Sequence, residues 1–520
     1  MDRSPHPLTP SPFGRGGTLY LAVALCAVVP YLPALWNGFA LDDLYIIVGN
    51  PLVHSVQGAW RAFASPYWPP DLGGQMYRPL PLAAFAIDWS IARGHPALFH
   101  AVNLLWHAGA AVIVAALALR SPSPDGRGGQ GVRTALAAGL VFAVHPVHVE
   151  AVANVVGLGE LMAAVGVCLA VYAAVVRRNV WWSGAALLLG LLSKENAVVA
   201  PALIVWAWMI EPTPRPDRRR MAEFVVSWVV IAGAYLAVRA LVLQPYARLH
   251  ATAPVFLAEG AVAGRLTALA ALSDVLRLLV FPLTLRIDYS PAERSIVTSL
   301  LDGRLLLGLA CLGLWVWLLV LAWRRQRRVE AFGLGWIALA FLPVSNLLFS
   351  TGVLIAERTL YLPSIGLALA AGAALARLPE QRLRVALVLI ALAGGLRAAL
   401  RTPVWHDDFA VTHSILTDSP NSYRGPARMG DVYQSHRQPE RALAALREAA
   451  RIYDRDPTLF IAGADAALTL GNSRLADSML VRAEQLCYRC AGAYRTQALA
   501  ARARGDSATA DSLLARMPAP

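Results

Sequence analysis

TLYLAVALCAVVPYLPALWNGFALDD, residues 18–43, is an apolar run of membrane-spanning length that ends on two adjacent carboxylates, Asp42 and Asp43. Neighbouring carboxylates repel, and charge beside a bilayer is expensive. The pair is therefore either a site or a solvated span end. The rest of the chain repeats the apolar pattern. Of its 520 residues 57% are hydrophobic and 15% charged, and the mean hydropathy is +0.51. This is the composition of a polytopic membrane protein and not of a soluble domain.

Spans are expected near 18–38, 98–119, 134–153, 158–176, 180–193, 196–210, 222–243, 303–323, 331–349, 358–376 and 382–400, about eleven in all. The fifth and sixth are short and read as tilted or re-entrant. The formal charge of +13 belongs to loops beside the membrane and does not call for nucleic acid. Nearly every basic residue is Arg, with Lys194 the only Lys, a bias expected of a GC-rich, bacterial genome. Residues 1–17 read as an uncleaved cytoplasmic segment. With the N-terminus inside, the clusters at Arg120, Arg127 and Arg133, at Arg177 and Arg178, at Arg215 and Arg218 to Arg220, at Arg324 to Arg328, and at Arg377 to Arg384 all fall inside. That holds if 265–285, which contains Asp274 and Arg277, lies at the interface without crossing. The loop 39–97, the span ends at His145–Glu150 and Ser193–Asn196, the segment 244–302, the loop 350–358 and the tail from 401 then share the outer face.

The tail, 401–520, changes to Ala-rich amphipathic helices with a period of 34. Ala442, Ala476 and Ala510 recur at that spacing, as do Ala449 and Ala483, and Gly471 and Gly505; the text ADSML at 476–480 returns as ADSLL at 510–514. With Gly430 and Tyr433 these positions fit the tetratricopeptide (TPR) helix–turn–helix pattern. Two repeats are clear and a third is truncated. Such arrays bind peptides or form a structural cap.

Several outer residue sets have chemical potential. Arg78, in Tyr77-Arg78-Pro79-Leu80, can grip a phosphate with two N–H groups or snorkel to a headgroup. His100, Asn103 and His107 share a helix face, lining a cavity or bonding between helices. His145, His148 and Glu150 are expected to position a sugar or phosphate. They are also candidates for a divalent cation, although the spacing is not that of a helical zinc motif, or for a structural cap. Lys194 offers a compact ammonium to an anion, or forms a surface pair with Glu195. Arg358 can meet an anionic headgroup with Glu357 orienting it, or form an interfacial pair. Asp288-Tyr289-Ser290, after the interfacial segment, reads as a solvated loop or faces the same cavity. Cys487 and Cys490 form a disulfide in an oxidising compartment or remain thiols.

In this order the motifs resemble the TMTC-type protein O-mannosyltransferases: Asp42-Asp43, Tyr77-Arg78-Pro79-Leu80, Phe99-His100-x-x-Asn103 with His107, Phe142-Ala143-Val144-His145-Pro146-x-His148-x-Glu150, Ser193-Lys194-Glu195, Ala356-Glu357-Arg358 with Tyr361-Leu362-Pro363-Ser364, and the repeat tail. The resemblance implies an all-α, GT-C-like membrane bundle (18–400) followed by a TPR domain (401–520), and a glycosyltransferase. The donor would be a polyprenyl- or dolichyl-phosphate sugar, and the acceptor a Ser/Thr hydroxyl of a protein held by the tail. Asp42 or Asp43 would act as base. Arg78, Lys194 and Arg358 would bind the phosphate, and His145, His148, Glu150, Glu357, His100 and Asn103 would position the substrates. Inversion at the anomeric carbon is expected, with the tail in the periplasm or, in a eukaryote, the ER lumen. One departure stands out: where the family has Gly-Arg-x-Glu, this chain has Gly157-Leu158-Gly159-Glu160. Transfer to a glycolipid or polysaccharide, or a scaffold without catalysis, are the alternatives.

Overall fold

The computed structural model describes residues 15–72, 74, 76–120, 128–210, 215–246, 253–256, 260–487 and 491–515. Most of the segment 1–17, Arg127 of the inside clusters and the Cys487–Cys490 pairing lie wholly or partly outside the described residues. All regular elements among the described residues are helical. Among the described residues, seven helices are long and apolar enough to cross a membrane: Gly17–Trp36, Pro96–Leu119, Val155–Val175, Arg218–Leu243, Gly303–Arg324, Glu357–Leu375 and Glu380–Trp405. Gln130–Ala143 and Pro146–Ala153, bent by 47°, add an eighth if they form one span. The chain is a multi-pass, all-α membrane protein.

The other three expected spans are shorter than a bilayer. Val180–Ser193 and Arg328–Phe341 have 14 residues each, and Ala200–Ile210, after a short 3-10 turn, has 11. At ~1.5 Å per residue, 14 residues reach about 21 Å of a ~30 Å hydrocarbon layer. The segment expected to stay at the interface forms two small helices, Ala261–Ala270 and Leu272–Val280, neither of spanning length. The second buries Val275, Leu278 and Leu279 and leaves Asp274 to pair with Arg294 at 2.7 and 2.8 Å.

Small residues let the helices approach, as apolar surfaces without water to expel must. A Cβ on Gly166 would stand 2.7 Å from the backbone of Gly190, so Leu158–Val175 and Val180–Ser193 cross in near backbone contact. Where the bent span breaks at His145-Pro146, and where it ends after Ala153, side chains satisfy the freed backbone groups. Asn103 Nδ2 donates to the carbonyls of Val152, Asn154 and Val155 at 3.0–3.3 Å, and Tyr31 donates to the carbonyl of His145 at 3.1 Å.

The tail follows the last span directly and stacks helix pairs: Arg424–Ser435 with Pro439–Ile452, Pro457–Thr469 with Ser473–Leu486, and Ala491–Ala503 with Ser507–Ala515. The period-34 alanines 442, 476 and 510 are fully buried between the paired helices. The turn within each pair uses a left-handed residue at the same place: Arg437 (φ 57°), Gly471 (φ 71°) and Gly505 (φ 82°). Only Arg437 carries a Cβ there, and its side chain is exposed. A left-handed non-glycine residue is strained by ~1 kcal/mol. Arg437→Gly is therefore expected to stabilise the first pair by about that amount, slowing hydrogen exchange of its amides about fivefold in the full chain. Faster exchange would show that Arg437 contributes more than it strains.

Candidate active site

The loop after the first span is clamped by the end of the last one. Asn37 Nδ2 donates to Thr402 O at 3.1 Å, Gly38 N to His406 O at 2.7 Å, and Leu41 N to Asp408 Oδ1 at 3.2 Å. Leu41 is itself left-handed (φ 54°), and this sharp turn sends the next two carboxylates apart. Asp43 points inward and is 1% exposed. Its Oδ1 accepts from Val156 N at 2.9 Å and its Oδ2 from Ala40 N at 3.2 Å. Burial pushes its pKa up to about 7, against the pull of those two N–H groups and with a small push from Asp42. Asp42 is half-buried and makes no hydrogen bond or ion pair among the described residues. It lines a polar cavity of about 100 Å³ together with Glu150, Asn154, Asp288, Arg358, Arg424 and Arg428.

The cations of the same region are each held by an acid from another element. Glu150, almost fully buried, accepts from the backbone N–H of Arg358 at 2.8 Å through Oε2 and from its guanidinium through Oε1. Arg78 grips Glu195 Oε2 with Nε and Nη2 at 3.0 and 2.9 Å and lies 5.3 Å from the centre of the Tyr67 ring. Lys194 bonds Glu160 Oε1, while Asn196 Nδ2 donates to Glu160 Oε2 at 3.1 Å. Lys194 is within electrostatic reach of both Arg78 and Arg358, and Asp42 of Arg358. The structure thus gathers Asp42, Arg78, Glu150, Lys194 and Arg358, together with Glu160 and Glu195, at one end of the bundle.

Other expected site residues make hydrogen bonds within the bundle. His100 is buried with Nε2 3.1 Å from Gly38 O, and Asn103 spends its amide on the broken span. His107 joins Tyr361 OH at 2.8 Å and Ala143 O at 3.1 Å. His145 Nε2 meets Leu279 O at 2.8 Å while its Nδ1 accepts from Val147 N at 3.3 Å, and His148 Nε2 meets Ser364 Oγ at 2.7 Å. With these nitrogens engaged and both oxygens of Glu150 on Arg358, the three residues do not offer a convergent donor set. They do not fit a divalent cation, and no group of three or more His, Cys, Asp or Glu among the described residues could hold one. Two expected pairings also change. Glu357 does not orient Arg358; its Oε1 accepts from Arg286 N at 2.5 Å and from Tyr289 OH at 3.2 Å. Lys194 and Glu195 do not pair with each other, because consecutive residues at the start of a helical turn point to different sides.

Sequence reasoning missed three contributions. Glu160, noted only for the Arg absent before it, is the partner of Lys194. Arg239, at the end of Arg218–Leu243, approaches Glu195 Oε1 at 3.4 Å. Arg424 and Arg428 come from the first tail pair, which docks on the segment after Leu272–Val280. Ser419 and Ser422 bond the Asp288 carbonyl and carboxylate at 2.8 and 2.5 Å, and backbone bonds join Ala292 to Asn421 and Tyr423 to Pro291. Spacing carried a signal only for Arg424 and Arg428, which are one helical turn apart.

Similarity to known proteins runs along most of the chain. Protein O-mannosyl-transferase TMTC4 of Homo sapiens is 28% identical over 459 residues, 77% of this chain and 62% of that protein. Protein O-mannosyl-transferase TMTC3 of Homo sapiens is 24% identical over 82% of this chain and 50% of its own length. Protein O-mannosyl-transferase Tmtc2 of Drosophila melanogaster is 33% identical over 54% of this chain and 31% of its own length. The chain therefore spans less than two thirds of the length of these curated relatives. No protein-family model matches it. The TMTC-type resemblance of the ordered motifs is thus matched by overall sequence similarity.

The environment of Asp43 has a pH signature. Its folded pKa of about 7 lies above the ordinary carboxylate value, so the folded state binds the proton more tightly. This contribution is fully present below about pH 4 and is lost as pH rises to about 7. The melting temperature of the wild type, relative to Asp43→Asn in the same detergent, is expected to fall across that window and then level off. A rise instead would mean that the Val156 and Ala40 N–H groups outweigh burial and keep Asp43 ionised.

Proposed function

We propose that this protein is a membrane glycosyltransferase that moves a hexose, mannose by analogy with its relatives, from a polyprenyl-phosphate donor to a Ser/Thr hydroxyl of a protein on the outer face of the membrane. The observation that carries this reading is Asp42. It is a carboxylate with no hydrogen bond or ion pair among the described residues, in a polar cavity walled on one side by Arg358 and on the other by the repeat tail. The names of its relatives support mannose and a protein acceptor.

The chemistry follows from the placement of charge. The acceptor hydroxyl gives its proton to Asp42 as its oxygen forms a bond to the anomeric carbon. The bond from that carbon to the phosphate oxygen breaks, and the electron pair leaves on the lipid phosphate. Arg358, Arg78 and Lys194 stabilise the charge that gathers there. A single displacement inverts the anomeric carbon. Each cation already holds a carboxylate, which keeps it in place in an apolar bundle before the donor arrives and limits reorganisation during the reaction. Asp43 is a positioning residue on this reading, because both of its oxygens fix the turn that presents Asp42. The Arg distribution supports a cytoplasmic N-terminus with the site and tail on the opposite side.

The acceptor enters between Asp42 and the tail, where Arg424 and Arg428 make loose ion pairs with Asp288 at 3.7 Å and Asp408 at 3.8 Å. These two guanidiniums would hold peptide carbonyls or an acidic side chain beside the modified hydroxyl.

With purified full-length enzyme, polyprenyl-phosphate mannose and an acceptor peptide, Asp42→Asn is expected to reduce kcat by about 100-fold or more with little change in donor binding. Asp43→Asn should lower kcat and melting temperature together. Full activity of Asp42→Asn would exclude it as the base. The double variant Arg424→Ala/Arg428→Ala should raise the acceptor KM about tenfold while leaving the slow hydrolysis of donor by water unchanged. An unaltered KM would instead favour a glycolipid or polysaccharide acceptor that does not touch the tail.

A further inference from the structure

We infer that Arg239 is the entry contact for the donor phosphate, receiving it from the bilayer side and passing it to Arg78; this rests on the donor class proposed above. Two observations carry it. The first is a charge imbalance. Glu195 serves two guanidiniums: its Oε2 is taken by both donors of Arg78, and only its Oε1, at 3.4 Å, faces Arg239. One carboxylate between two cations leaves about one positive charge unmatched, and the looser contact places it on Arg239. The exposures agree, with the Arg78 side chain 16% exposed and that of Arg239 35%.

The second observation is where Arg239 is mounted. Arg218–Leu243 is a long apolar helix of which only 11% of the most apolar window is buried. Val226, Val229, Val230, Leu236 and Leu241 are 60–70% exposed and form a lipid-facing surface. A single stripe packs on the neighbouring helix: Phe224, Trp228 and Tyr235 are buried, and Arg239 continues the same face one turn beyond Tyr235. Tyr235 OH donates to Tyr77 O at 3.3 Å, which fixes this stripe against the residue before Arg78. Arg239 is therefore on the boundary between lipid and site, with its charge aimed inward. A phosphate carried on a lipid chain must arrive laterally, and Arg239 is the cation it meets before Arg78.

The test uses the full chain in detergent, with binding of undecaprenyl phosphate (the leaving group of the proposed reaction) measured by native mass spectrometry. Wild type, Arg239→Gln and Arg239→Lys are titrated, and phosphatidylglycerol and inorganic phosphate are used as competitors. The inference expects wild-type binding, at least about tenfold weaker binding by Arg239→Gln, retention by Arg239→Lys within about threefold, and poor competition by phosphatidylglycerol. Equal binding by wild type and Arg239→Gln would overturn the role of Arg239 while leaving the donor class intact. Absence of binding in the wild type would overturn the donor class itself. Equal displacement by phosphatidylglycerol would identify a general headgroup seat, and displacement by millimolar inorganic phosphate a free-anion site; either overturns the inference.

Discussion

Ion pairing between distant elements is the condition on which the polar end of this bundle exists. Cations on separate segments, Arg78, Lys194, Arg239 and Arg358, converge at one end of a largely apolar bundle. Each isolated charge would be expensive to bury. Glu195, Glu160 and Glu150 offset that cost and set the geometry at the same time. Glu150 fixes both the backbone and the guanidinium of Arg358. Glu160 bonds the Lys194 ammonium through one oxygen and the Asn196 amide through the other. Removing one carboxylate would leave a cation unpaired and free its element, so the fold of this end and its electrostatics cannot be separated.

The two aspartates illustrate how a local clamp divides labour. Asp42 and Asp43 are adjacent, yet one is buried on backbone N–H groups and the other faces the cavity. The separation depends on the left-handed turn at Leu41 and on Asp408, which bonds the Leu41 N–H from the start of the tail. The tail therefore supports the loop that carries Asp42 as well as forming a wall of the cavity. Asp408 also lies near Arg428, so one carboxylate joins the turn that carries Asp42 to the helix proposed to meet the acceptor.

Much of the architecture is legible in the sequence. Hydropathy over about twenty residues marks the long spans, because a helix that is apolar all round for that length has no face to offer water and matches the thickness of the hydrocarbon layer. The period of 34 in small residues marks the stacked pairs because only Ala or Gly fits where paired helices touch; a Cβ on Gly430 would meet Leu446 at 2.7 Å. The three short helices are less legible, since composition alone does not separate a tilted span from one that stops early. At the site, the residue types could be read but not their partners. Lys194 and Glu195 look like a pair and instead reach Glu160 and Arg78. Arg239 reads as an ordinary span-end arginine until the packed stripe on its helix is seen. The choice between Asp42 and Asp43 depends on a contact 367 residues away, which no local pattern carries.

The short helices give these facts a common geometry. Lys194 and Glu195 stand at the junction after Val180–Ser193, a helix of 14 residues, and Arg78, just before Pro79–Ala92 in the loop after the first span, reaches Glu195 there. A helix of that length ends roughly 9 Å short of a full hydrocarbon crossing. On the proposed function, that shortfall recesses its terminal charges toward the level of a lipid phosphate. A recessed cation needs a buried acid to hold it, which Glu160 and Glu195 supply, and it needs a route from the lipid, which the exposed face of Arg218–Leu243 borders. On the proposed function, helix shortness, charge pairing and the position of Arg239 are three consequences of one requirement: the phosphate must be met where its lipid anchor leaves it, while the acceptor hydroxyl comes from water on the side of Asp42 and the tail.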